Sequence, residues 1–121
     1  MNVEHIIEKT MSDFSEVRYV AIYQNGALNM KQRNEKLPGA SSSDSDRYEE
    51  LLVNPTLLKL ATQRGDIDCG GLDFLVIHYG HFHQVVRTIP GGHVSVCLEK
   101  DSDLNALPQA VLDSITSGLL P

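Results

Sequence analysis

The stretch IHYGHFHQ, Ile77–Gln84, places His78, His81 and His83 within six residues. Imidazoles at that density raise the question of a metal site. A hairpin turning at Gly80-His81, with glycine first in a type II′ turn, sets Tyr79 opposite Phe82 and His78 opposite His83. The second pair is then a non-hydrogen-bonded one, with Cα atoms about 4.5 Å apart and both rings on one face. Two imidazoles that close can share a divalent ion. A zinc site needs three or four protein ligands, however, and only Glu99 or Cys97 on a following strand could join, depending on register. His81 sits in the turn and His93 at the far end of its strand. The set is incomplete, so the expectation is no metal and no other cofactor, with the histidines acting as packing and surface residues.

Other patterns fail on their diagnostic positions. Asp101-Ser102-Asp103-Leu104-Asn105 opens like a calcium loop, but the sixth position is Ala106 and the twelfth is Leu112, where glycine and glutamate are required. Acidic residues there suit the positive end of a following helix. Cys97, amid Val94, Val96 and Leu98, reads as a small buried hydrophobe rather than a nucleophile. The glycines of CGGLD and IPGGH lack phosphate-loop spacing and adjoin strands, which makes them turns. No acid, base and nucleophile converge, so the chain is expected not to be an enzyme.

The 121 residues suit one domain, 1–121, and the formal net charge of -6 offers nothing to a phosphate backbone, which excludes nucleic acid as the main partner. Cys69 and Cys97 have no metal or redox spacing. Charges at Glu4, Glu8, Lys9 and Asp13 interrupt any signal-peptide core, and no run of about 18 apolar residues occurs, so the expected location is the cytoplasm and no membrane is spanned.

The elements that must position these residues follow from periodicity. Val3, Ile6, Ile7, Met11, Phe14 and Val17 lie at helical spacing. RYVAIYQN alternates, with Val20 and Ile22 on one side and Tyr19, Ala21 and Tyr23 on the other, and Asn25-Gly26 turns the chain into ALNMKQR. Lys31 and Arg33 suit an exposed strand edge. NEKLPGASSSDSD, residues 34–46, reads as a mobile loop. Asp46 and Glu49 resemble a capping box that starts a second helix, which Pro55 divides into two pieces around Asn54, with Asn54 as a new cap and Gly65 as a stop. LDFLVIHYG, HFHQVVRTI and HVSVCLEK form an antiparallel meander with its outermost strand bare, and Leu104, Leu107, Val111, Ile115 and Leu119 repeat as a final helix behind the caps Ser102, Asp103 and Asn105. The expected class is α+β: a five-stranded antiparallel sheet with helices on both faces, in the order αββαβββα.

With EVRYVAIYQNGAL after an amphipathic helix, the meander from Leu72 to Glu99, and DSDLN leading into the last helix, the chain resembles the Roadblock / dynein light chain family. The resemblance covers nearly the whole chain. It implies a profilin-like sandwich, the first and last helices on one sheet face and the middle helix on the other. It further implies a homodimer through the middle helix, Asp46 to Arg64, and the neighbouring edge strand, Leu72 to Tyr79. Leu51, Leu52, Leu58, Phe74, Val76 and His78 are the expected interface residues. Function would then be protein interaction without catalysis, as a regulator or scaffold that docks a small Ras-like GTPase or motor components. The long 34–46 connection and Pro55 depart from the family pattern within or beside the interface helix. The alternative is a small-ligand or metal sensor, with the face of Phe74, His78 and His83 as its pocket.

Overall fold

A computed structural model describes residues 2–33 and 43–119. Helix α1 spans Val3–Asp13, strand β1 Val17–Gln24 and β2 Ala27–Gln32. Helix α2, Ser43–Tyr48, runs through a π-helical turn, Glu49–Val53, into α3, Asn54–Asp68. Strands β3 (Leu75–His78), β4 (Phe82–Ile89) and β5 (Gly92–Glu99) precede α4, Leu107–Leu119. The five strands form one antiparallel sheet in the order β2-β1-β5-β4-β3, so β2 and β3 are its edges. The expected α+β architecture is present, and among the described residues β3 pairs with β4 on one side only, as expected of the outermost strand.

Alternation sorts the strand residues. Val20, Ile22, Val85, Ile89, Val94, Val96 and Leu98 meet Ile6, Ile7 and Met11 of α1 and Val111, Leu112 and Ile115 of α4 in the main core. Tyr19, Ala21 and Cys97 occupy the opposite face, with Leu28, Met30 and Phe82 against them. That second cluster is far smaller. The helix over it must be held by something other than apolar area.

Turn chemistry fixes the registers. Asn25 and Gly26 adopt φ of 53° and 83°, as a two-residue hairpin turn of this type requires. Pro90-Gly91, with Gly91 at φ 83°, joins Ile89 to its partner Gly92. The β3–β4 hairpin pairs His78 with His83 as anticipated, and the Tyr79 amide donates to the Phe82 carbonyl at 3.0 Å. The turn is not type II′, because Gly80 lacks the positive φ that type demands. Strand β3 is also shorter than LDFLVIHYG suggests, since pairing begins only at Leu75.

Four further expectations are corrected. The second helix begins at Ser43, and Asp46 lies buried within it, accepting a hydrogen bond from Gln32 Nε2 at 2.7 Å rather than capping. The backbone remains helical through Asn54, at φ −63° and ψ −45°, so Pro55 breaks nothing. The wider turn absorbs it: the Asn54 amide donates to Glu49 O, five residues back, relieving the crowding a proline imposes on a regular α-turn. Gly65 is no stop; the helix continues to Asp68, and Gly65 is there because a Cβ would lie 3.1 Å from the Gly71 carbonyl carbon. Arg33 bonds the Met11, Phe14 and Val17 carbonyls, so it fastens the end of α1 instead of guarding an edge. Before α4, Asp103 Oδ1 accepts from the Asn105 amide at 2.9 Å, in keeping with a capping role. The expected loop 34–46 lies, over residues 34–42, outside the described residues.

Gly92 has no room for a side chain, since a Cβ would fall 1.7 Å from Tyr23 O, whereas a Cβ at Gly80 meets nothing within 4 Å. Gly92→Ala is therefore expected to cost about 2 kcal/mol or more in urea unfolding, and Gly80→Ala to stay within about 0.5 kcal/mol of wild type.

Candidate functional site

Glu50 is wholly buried, in the π turn of the middle helix, and its carboxyl group accepts three hydrogen bonds from side chains. Tyr19 of β1 donates its hydroxyl at 2.8 Å, His93 Nε2 of β5 lies at 2.9 Å, and Asn54 Nδ2, one turn on, donates at 2.9 Å. Asn54 also reaches Ser95 Oγ at 3.5 Å, and Ser95 Oγ takes a 2.7 Å bond from Gln84 Nε2 of β4. All six side chains are buried. Two carboxylates flank this network: Asp46 meets Gln32 of β2, and Glu49 Oε1 accepts from the Tyr79 hydroxyl, just past β3, at 3.0 Å. The helix is thus tied by polar bonds to β1, β2, β5 and the end of β3, and through Ser95 to β4.

The electrostatics follow from burial of so much negative charge. Burial, then the Glu50 carboxyl beside it, pushes the Tyr19 phenol far above its ordinary range. Burial also raises the Cys97 thiol well above its usual value, with Glu50 adding to the effect, so Cys97 is an inert thiol. Tyr79 is pushed up to about 12 by burial and its bond to Glu49. Glu49 itself is raised, by burial first and by Glu50 and Asp46 as like charges, against the lowering effect of Tyr79.

The helix is docked polar side inward. Its residues facing the sheet are Asp46, Glu50, Asn54, Leu58 and Gly65. Its outer side shows Tyr48, Leu51 (46% exposed), Leu52 (53%), Leu57, Leu60 (62%) and Ile67 (75%). These apolar side chains are interspersed with exposed Arg47, Thr56, Lys59 and Arg64, and clustered exposed apolar residues on a small domain are candidates for an association surface.

The residues expected at an interface are therefore divided. Leu51 and Leu52 lie on the exposed outer side of the helix. Leu58, 5% exposed, is a core position. Phe74 packs half-buried against the main core, while Val76 and His78 are exposed on β3, all three on the α1/α4 side of the sheet. Sequence reasoning missed Leu57, Leu60 and Ile67, and missed the Glu50 network altogether. One signal was available: Glu50 and Asn54 stand four apart on the face that Leu58 continues, so the polar stripe coincided with the inward one.

No protein-family model matches the chain, and no curated protein sequence does. Solved structures do. A Roadblock/LC7 domain from Streptomyces avermitilis superposes with a TM-score of 0.71 over 97% of this chain and 94% of its own, at 13% identity. The chain has the Roadblock/LC7 fold. MglC from Myxococcus xanthus is similar at a TM-score of 0.57, with 13% identity, 98% of this chain and all of that one. The placement of α1 and α4 on one sheet face and the middle helix on the other agrees with the architecture the resemblance implies. Among the described residues no helix is long and apolar enough to cross a membrane, and no three metal-ligating side chains cluster.

Removing Glu50 strands its donors in the interior. Glu50→Ala is expected to cost about 3–5 kcal/mol by chemical denaturation. The raised Glu49 carboxyl gives a stability contribution fully present below its ordinary value of 4.5 and lost as pH rises through the higher folded value. Unfolding midpoints measured across weakly acidic pH should show that loss in wild type, and a flatter profile in Glu49→Gln.

Proposed function

We propose that this chain is a non-catalytic protein-interaction module that works as a homodimer in the cytoplasm, pairing through the outer side of the middle helix and the β3 edge. The observation that carries the reading is the helix docked by its polar side with Leu51, Leu52, Leu57, Leu60 and Ile67 facing out. Each apolar side chain fully covered contributes on the order of 1.5–3 kcal/mol, so even partial coverage of this stripe favours association. A two-fold axis covers both stripes at once, and the bare edge of β3, carrying Val76 and His78, can pair with its own copy by the same operation. Phe74 supports the edge from beneath, and Leu58 is not part of the surface.

A non-catalytic role is supported by the network itself. Glu50, His93 and Tyr19 are the groups best suited to proton transfer, and they are buried and bonded to one another, out of reach of a substrate. The fold supports a small Ras-like GTPase as the further partner, since docking of such proteins is what the family resemblance implies. A GTPase retained on a column of this protein, and released in a manner sensitive to its bound nucleotide, is the corresponding test.

Sedimentation equilibrium at micromolar concentration should return twice the 13.4 kDa of one chain. Leu60→Glu, at a fully outward position, should return the single-chain mass with an unchanged circular dichroism spectrum. A single-chain mass for wild type, or an unaltered dimer in Leu60→Glu, contradicts the proposed surface.

A further inference from the structure

His83 and His78 present a feature that strand pairing at the β3 edge does not account for. His83 Nε2 lies 2.8 Å from the Lys100 carbonyl oxygen, which can only accept, so Nε2 carries the proton. Its Nδ1 is then a bare lone pair, and that atom is buried with no hydrogen-bond partner among the described residues. A histidine that donates one ring N–H to a backbone carbonyl and leaves the other nitrogen free has the arrangement by which proteins orient metal ligands. Beside it stands His78, its cross-strand partner, exposed at the β3 edge. The two ring centroids are 4.6 Å apart and the rings nearly perpendicular, at 80°.

Those values can be compared with coordination geometry. Two imidazoles bound to one ion at about 2.0–2.1 Å, with an angle at the ion between about 90° and 110°, have centroids roughly 4.5–5.2 Å apart. The observed separation falls within that span. The cationic side chains beside the hairpin are directed elsewhere: Arg18 donates to the His81 carbonyl at 3.0 Å and Lys100 to the Tyr79 carbonyl at 2.6 Å.

We propose that His78 and His83 form a two-histidine site for a d-block divalent cation of the class that prefers imidazole nitrogen, Zn²⁺, Ni²⁺ or Cu²⁺. His83 Nδ1 is the inner ligand, fixed through Lys100, and His78 closes over the ion from the solvent side. Among the described residues no third His, Cys, Asp or Glu completes a cluster, so water holds the remaining positions and the ion exchanges readily. Binding ties the edge strand β3 to β4 at the end where the ladder stops, which stiffens the hairpin. The site belongs to a single chain and does not depend on dimer formation.

Calorimetric titration of the metal-free protein with Ni²⁺ and with Zn²⁺ tests this, using wild type, His78→Ala, His81→Ala and His83→Ala. Wild type and His81→Ala should bind one ion per chain and melt at higher temperature with metal; His78→Ala and His83→Ala should show neither effect. Because His83 is buried, the exposed His78→Ala carries the decision, and nitrogen NMR of wild type adds a second readout, in which the His83 Nδ1 resonance shifts on adding Zn²⁺. No binding by wild type, wild-type affinity in His78→Ala, or loss of binding in His81→Ala instead overturns the proposal.

Discussion

The hydrogen bonds converging on the Glu50 carboxyl decide how the rest of the molecule is presented. A buried acidic group surrounded by apolar residues is costly, and here the cost is offset by donors from Tyr19, His93 and Asn54. These bonds are directional, so they specify one rotation of the middle helix about its axis. Apolar packing alone would favour the opposite rotation, with Leu51, Leu52 and Leu60 turned onto the sheet. The polar network therefore holds an apolar face outward, and that is the property an association surface requires.

Several local features serve that arrangement. The π turn accommodates Pro55 while keeping Glu50 and Asn54 together on the inner side. Strand β1 is paired on both sides, by β2 and by the central strand β5, so Tyr19 projects from within the sheet, and His93 and Ser95 come from β5. The two sheet faces are consequently unlike: the α1/α4 face is held by branched aliphatic residues and the other by hydrogen bonds and carboxylates. Like charge from Glu50 and Asp46 adds to burial in raising the Glu49 carboxyl, so the second layer carries a pH-sensitive group.

Much of the architecture was legible in the sequence. The alternation of Tyr19 to Tyr23 and the Asn25-Gly26 turn followed from periodicity and turn chemistry, because local rules govern them, whereas the His78–His83 register is as expected although the type II′ turn behind that expectation is not formed. The middle helix was not legible in the same way. Asp46 and Asn54 are good caps in isolation, and Pro55 is a strong breaker, but a tertiary hydrogen bond from Gln32 claims Asp46, a bond along the helix to the sheet-anchored Glu50 claims Asn54, and a π turn absorbs the proline. Leu58 does not share a face with Leu51 and Leu52: it points inward beside the buried Glu50 and Asn54, and no pattern of apolar residues reveals that division.

The most direct measurement is a double-mutant cycle for folding stability between Glu50 and His93, using Glu50→Gln, His93→Gln and the pair. If the carboxyl–imidazole bond fixes the helix, the effects are non-additive, with a coupling of at least about 1 kcal/mol. Additivity to within about 0.3–0.5 kcal/mol would show that the helix is held by other means, and the reason given for its outward apolar face would fail.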